Sequence, residues 1–225
     1  MTSNAISAAD LESAVPDVSK TVTFDGLDGT VRILRDRYGI PPVRAESSHD
    51  AFFGQGYATA QDRLWHMDYD RMRAYGRWAG VVGTSGVEHD VMMRRFQIEA
   101  SVEQDWDALG TDTRAMFEAY CDGVNAFIES NRALPVEYRL TATRPEPWRP
   151  QDSLAVFKVR HIMMGVFESK LWRAELVNTL GAERAASLLR GYQPGHLLIV
   201  PPSTEYDGPV LDGLQELSAG LDAID

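Results

Sequence analysis

The side chains able to do chemistry in this 225-residue chain are few and poorly placed for doing it alone. The five histidines, His49, His66, His89, His161 and His196, include no pair at the i, i+4 spacing that puts two imidazoles on one helical face. With one cysteine, Cys121, to add to them, a zinc site is not expected. Cys121 lies in the helical-looking run Phe117-Glu118-Ala119-Tyr120-Cys121, with no adjacent cation to lower its pKa, and reads as a packed thiol. Ser85, in Gly83-Thr84-Ser85-Gly86, has no base nearby and reads as a loop residue. A Gly-x-Ser-x-Gly elbow, a phosphate-binding glycine loop and a dinucleotide fingerprint are all missing from the sequence. No self-contained catalytic set is present.

Other polar residues fall inside stretches that otherwise read as packed helix. Gln61-Asp62-Arg63-Leu64-Trp65-His66-Met67-Asp68 sets opposite charges beside bulky apolar groups, and Arg71 sits on the apolar stripe between Met67 and Ala74. A partly buried ion-pair network is expected there. Glu175, four residues after Leu171, places a carboxylate beside an apolar face and needs a partner: Arg173 or another neighbour, or a hard cation such as Ca²⁺.

The elements that must position these groups follow from periodicity. Residues 1–20 read as an arm or a short surface helix. Alternating β-branched residues in 21–36, on either side of an Asp/Gly turn, predict a hairpin, and Val43-Arg44-Ala45 a third short strand. From Ser48 the period changes: Phe53, Tyr57, Ala60, Leu64, Met67, Ala74 and Trp78 recur at three- and four-residue steps, predicting a long helix ended by Gly80 and Gly83. Helices are also expected over Thr111 to Asn131, capped by Thr111 or Asp112, and from Pro150, with Asp152 in its first turn, to about Met164. A fourth runs from Ser169 towards Leu180, and a fifth stops at Gly191. A few strands followed by a helical body is an α+β pattern, and so few strands make a useful sheet only with strands from elsewhere.

Composition bounds the partners. The chain is 44% hydrophobic and 24% charged, with a net charge of −11 and scattered basic residues, which argues against nucleic acid or an anionic membrane as main partner. No segment approaches the roughly 18–20 apolar residues needed to span a bilayer. Residues 1–20 lack the basic and apolar regions of a secretory signal, so the expected compartment is cytoplasmic, or periplasmic if a signal has been removed.

An ordered series of motifs resembles the penicillin acylase family. It comprises Arg35-Asp36-Arg37-Tyr38-Gly39-Ile40-Pro41, Asp50, and Gly56-Tyr57-Ala58-Thr59-Ala60-Gln61-Asp62-Arg63-Leu64-Trp65-His66-Met67. It continues with Arg71 to Gly76, Gly123-Val124-Asn125-Ala126, Trp148-Arg149-Pro150-Gln151-Asp152 and Trp172-Arg173-Ala174-Glu175-Leu176, and covers about residues 22 to 200. One departure is Pro42, where the family commonly has histidine. The resemblance implies the α chain of an N-terminal-nucleophile hydrolase, whose strands join a four-layer αββα core completed by a β chain from the same precursor. It implies residues 1–20 as an arm, 21–202 as the α-chain domain and 203–225 as a tail near a processing site. It implies hydrolysis of N-acyl amides by acyl transfer to a serine at the start of the β chain, so that no catalytic residue lies in this chain. Glu175-Leu176-Val177-Asn178 matches the context of the α-chain ligand of the family's calcium site, and Met163, Met164 and Phe167 fall where the α chain lines the acyl pocket. For those three residues, as for Arg160 and His161, ordinary core packing is the competing reading. The rival to the whole is a non-catalytic helical interaction module on the same scaffold.

Overall fold

The structure, a computed structural model, describes residues 6–130, 134–165 and 167–188, with Phe167 described for its backbone alone. The described chain divides into two units that meet between Val166 and Phe167.

The first unit is built on helix α2, Ser48–Ala74, preceded by the short helix α1, Ala8–Ala14, and the strands β1, Arg32–Ile33, and β2, Val43–Arg44. The strands pair antiparallel, with Arg32 opposite Arg44 and Ile33 opposite Val43, and Leu34 N–H to Pro42 O continues the ladder towards a turn at 36–39. The first arm of the expected hairpin is therefore wrong. Thr21–Phe24 pairs with no strand among the described residues; its alternation serves packing, because Phe24 lies 5.5 Å from the Phe53 ring and 5.3 Å from Tyr57.

Ser47 caps α2, its hydroxyl accepting the Asp50 N–H at 3.1 Å. The Asp50 carboxylate accepts the backbone N–H groups of Asp28 (3.0 Å) and Gly29 (2.8 Å), which ties the preceding loop to the helix start. The helix stops at Ala74, short of Trp78. Gly76 takes φ +59°, with Gly76 N–H on Arg73 O and Arg77 N–H on Met72 O, the paired bonds of a Schellman ending that sequence periodicity does not register.

Three helices missing from the periodicity reading follow: α3 (Ala79–Val82), α4 (Val87–Arg95) and α5 (Ile98–Ala108), with a 3₁₀ turn at Gly83–Gly86 where Ser85 sits. Helix α6, Thr111–Glu129, starts where expected, but its N-cap is Gly110, with no side-chain cap; Asn131 lies outside the described residues. A short α7, Val136–Thr141, was also not anticipated. Helix α8, Pro150–Met164, matches its expected bounds, with Pro150 in the first turn.

The core forms where α2 crosses α6. Tyr57, Ala60, Leu64 and Met67 meet Cys121, Val124 and Phe127, and Tyr138 and Trp148 close the cluster. A second cluster joins Ala74, Tyr75, Met93, Ile98, Val102, Ala155 and Val159. The second unit contains α9 (Phe167–Leu180) and α10 (Ala182–Leu188); the expected stop at Gly191 lies outside the described residues. No helix among the described residues is long and apolar enough to cross a membrane.

Candidate functional site

The expected ion-pair network is present. Arg71 is buried and donates from Nε (3.0 Å) and Nη2 (2.6 Å) to Asp68 and from Nη1 (3.0 Å) to Asp152. It also donates to the backbone carbonyls of Glu146 (3.2 Å) and Pro147 (3.0 Å), and its plane lies 4.9 Å from the Trp148 ring centre. Tyr138 Oη donates to Asp68 and Tyr75 Oη to Asp152. Burial works against the charge on Arg71, but Asp68 and Asp152 outweigh it and hold the guanidinium above its ordinary pKa. Burial first, then these carboxylates, raise both tyrosines. Arg71 thus fastens α2 to the proline-rich connection and to the start of α8, and its partner Asp68 holds Tyr138 of α7. Asp152 also accepts the backbone N–H of Arg149 (3.0 Å), the N-cap residue of α8, so its place in the first turn serves two purposes.

The motif residues nearer the N-terminus form a second contact. Arg35 donates to Gln61 (2.7 Å), Asp62 (2.5 Å) and Gly39 O (3.2 Å), while Asp36 Oδ1 accepts the N–H groups of Tyr38 and Ile40 to shape the turn. The Arg-Asp…Gly and Gln-Asp signals, 26 residues apart in the chain, are two halves of one docking of the hairpin on α2.

Cys121 is buried; its Sγ donates to Trp148 O at 2.8 Å, and burial, then Asp122, pushes the thiol up to about 12. At pH 8 it is expected to resist a disulfide reagent in the native protein and to react fully once unfolded. Labelling of the native protein at the unfolded rate would contradict this placement. Among the described residues, Asp28, His49 and Asp50 come within 4.8 Å of one another, but both Asp50 oxygens already hold backbone N–H groups, which makes the cluster a loop anchor.

Of the residues expected to line a pocket, Met163 and Met164 end α8 at 47% and 74% exposure, so neither is a core residue of the first unit. They share that end of the helix with Phe157, 62% exposed, and His161, whose ring lies 4.3 Å from that of Phe157. Phe157, His161 and Met164, at i, i+4 and i+7, form one solvent-facing stripe. Phe157 was missed as a candidate, although its spacing from Met164 would have found it. Arg160 is committed elsewhere, to buried Asp70 (2.6 Å from Nε) and to His66 Nε2 (2.6 Å from Nη2). Phe167 and Glu175 belong to the second unit, where the side chain of Phe167 is outside the described residues and Glu175 is exposed on α9. Among the described residues no ion pair to Arg173 or another neighbour engages Glu175. The described residues therefore offer an exposed apolar stripe on α8 and an exposed carboxylate on α9, while Ser85 Oγ donates to Val82 O and Cys121 Sγ to Trp148 O.

A family model described as penicillin amidase matches residues 30–211. The chain belongs to the penicillin amidase family. It is 37% identical over 214 residues to the penicillin acylase 2 proenzyme of Pseudomonas sp. (strain SE83), covering 95% of this chain and 28% of that protein. It is 31% identical over 211 residues to the acyl-homoserine lactone acylase QuiP of Pseudomonas aeruginosa, covering 93% and 25% respectively. The chain thus spans about a quarter of the length of these curated relatives. A thermostable penicillin G acylase from Alcaligenes faecalis contains a chain that superposes with a TM-score of 0.61 at 32% identity, over 78% of this chain and 98% of that one. For this penicillin amidase chain, the matched stretch includes the Arg35–Gln61–Asp62 docking and the Arg71 network described above.

Proposed function

We propose that this chain is the α portion of an acylase, a hydrolase of N-acyl amides whose nucleophile is carried by the remainder of the same precursor. One contrast supports the reading: the stretch accounts for 28% of a relative named a proenzyme, yet its match covers 98% of a separate chain in a penicillin G acylase. In this reading the precursor is cut and the β portion begins with serine. The serine's own α-amine takes the hydroxyl proton, directly or through a water, as the oxygen attacks the amide carbonyl. Donors on the β portion stabilise the oxyanion, the amine departs with a proton, and water releases the acyl group.

This chain's part is scaffold and lining. The β1–β2 hairpin, too small to be stable alone, adds its strands to those of the β portion in the four-layer core. Met163 and Met164, at the end of α8, line the acyl pocket, where flexible thioethers suit an apolar acyl group. Glu175 suits a shared calcium ion: it is an exposed, hard oxygen donor with Asn178, also exposed, three residues on. When bound, the ion would cross-link the two portions and take no part in acyl transfer.

The complete precursor, expressed and assayed for amine release from acylated β-lactams, N-acyl amino acids and acyl-homoserine lactones, is expected to hydrolyse at least one class. Inactivity on all three would remove the reading. Glu175→Ala is expected to lower bound calcium, measured by elemental analysis, or to impair maturation; unchanged metal content with normal processing would count against the calcium assignment.

A further inference from the structure

The joint between the end of α2 and the start of α3 is built around one imidazole. His89 of α4 is partly buried, and Arg73, in the last turn of α2, approaches its Nε2 from Nε (3.3 Å) and Nη2 (3.1 Å). A guanidinium only donates, so Nε2 must accept and the ring hydrogen sits on Nδ1. Nδ1 is buried with no hydrogen-bond partner among the described residues; Asp90 Oδ1 is 3.8 Å away. Both Asp90 oxygens are already used, Oδ1 by the Trp78 N–H (3.0 Å) and Oδ2 by the Ala79 N–H (2.7 Å), the groups that open α3. Arg73 in turn lies 5.1 Å from the centre of the Tyr69 ring, which meets Trp78 edge-on at 4.8 Å. Arg73 and Asp90 are the charged groups that face the His89 ring among the described residues; α3 and the 3₁₀ turn carry no charged side chain.

We propose that His89 is an acid-sensitive latch, whose protonation releases residues 77–86 from the end of α2. The latch belongs to this joint and does not depend on the acylase reading. A second ring proton goes to Nε2 and points at Arg73, replacing the hydrogen bonding there by the repulsion of two cations. The imidazolium Nδ1–H is also drawn to Asp90 Oδ1, where it competes with the Trp78 N–H. Both effects converge on Trp78, one through Asp90 and the other through Arg73 and Tyr69.

Burial first, then Arg73, holds the ring below the ordinary histidine pKa, against the pull of Asp90. The folded state therefore prefers neutral His89. That preference stabilises fully above the unfolded value of about 6.5 and is lost as pH falls below it, towards the lower folded value. The loosening also has a boundary. Arg94 Nε donates to Gly76 O at 3.0 Å, and Met93 is buried in the second cluster, contacts in which His89 takes no part. The C-terminal half of α4 therefore stays docked while residues 77–86 open.

The test is amide hydrogen exchange of the complete protein, read by mass spectrometry across about pH 5–8, with labelling times scaled to the intrinsic amide rate at each pH. Protection of peptides covering 77–86 is expected to fall about tenfold on acidification, the worth of one hydrogen bond to a charged group. Peptides covering 93–98 should hold theirs. In His89→Gln the amide oxygen still accepts from Arg73 but does not titrate, so the acid step should vanish. A parent protein without the step, a step retained in His89→Gln, or an equal loss over 93–98 would each overturn the proposal. Exchange of the His89 ring C2 hydrogen in the parent gives its titration directly and decides the matter if the variant does not fold. A midpoint below about 6.5 that coincides with the amide step is expected. A midpoint at or above that value, or one separate from the amide step, would also overturn the latch.

Discussion

Replacing Arg71 with leucine is expected to destabilise the complete protein by about 3–5 kcal/mol, because it leaves the Asp68 carboxylate buried without a cation and Asp152 with Arg149 alone. A domain of roughly 150–250 residues moves its Tm by about 2–4 °C per kcal/mol and a longer cooperative unit by less, so a fall of several degrees in a thermal melt is the readout. Lysine at the same position keeps the charge but not the fork that reaches two carboxylates and two carbonyls, and should fall between leucine and arginine. Neutralising the carboxylates together with the cation, as Asp68→Asn, Arg71→Met and Asp152→Asn combined, should recover much of the loss, since the penalty comes from breaking the network and not from lacking it. A melt for Arg71→Leu within 2 °C of the parent would show that the network carries little.

The second large effect is expected at the crossing of α2 and α6. A Cβ added at Gly123 would lie 2.0 Å from Phe53 O, and one at Gly56 would lie 2.0 Å from Tyr120 O. The obstacles are backbone atoms, which cannot rotate away as a side chain can, so each substitution must force the two helices apart across the cluster around Leu64 and Val124. Overpacking of a well-filled core costs about 1–3 kcal/mol and more where backbone must shift. Gly123→Ala and Gly56→Ala are therefore expected to lower the yield of soluble mature protein and its Tm. Gly80→Ala, where a Cβ meets nothing within 4 Å, should be neutral or slightly stabilising. Equal behaviour of all three variants would contradict the close approach.

These two sites also mark what sequence could and could not disclose. The stripe from Phe53 to Ala74 and the proline at position 150 announced α2 and α8, because a period of three to four residues and an N1 proline are local signals. Arg71 on an apolar stripe announced a buried ion network, though not which carboxylates would answer it. The glycine contact was invisible, since a tight crossing exists only once the partner helix is known. Helices α3 to α5 escaped for another reason: Val82, Val87, Val91 and Phe96 are exposed, so apolar residues there do not trace a buried face. The hairpin was assigned to the wrong arm because its register depends on Arg35 reaching Gln61 and Asp62, a contact across the chain. At the candidate site, Met163 and Met164 were found as positions, but their exposure came from the fold of the first unit, and Phe157 was overlooked beside them.

In the function proposed above, this chain is one portion of a precursor whose other portion supplies the nucleophile. The most direct measurement is intact-mass and N-terminal analysis of the purified complete protein. Two chains are expected, the second beginning with serine and bearing a free α-amine, with Ser→Ala at that position abolishing amide hydrolysis. A single uncut chain, or a second chain that begins with a residue other than serine, threonine or cysteine, would contradict it.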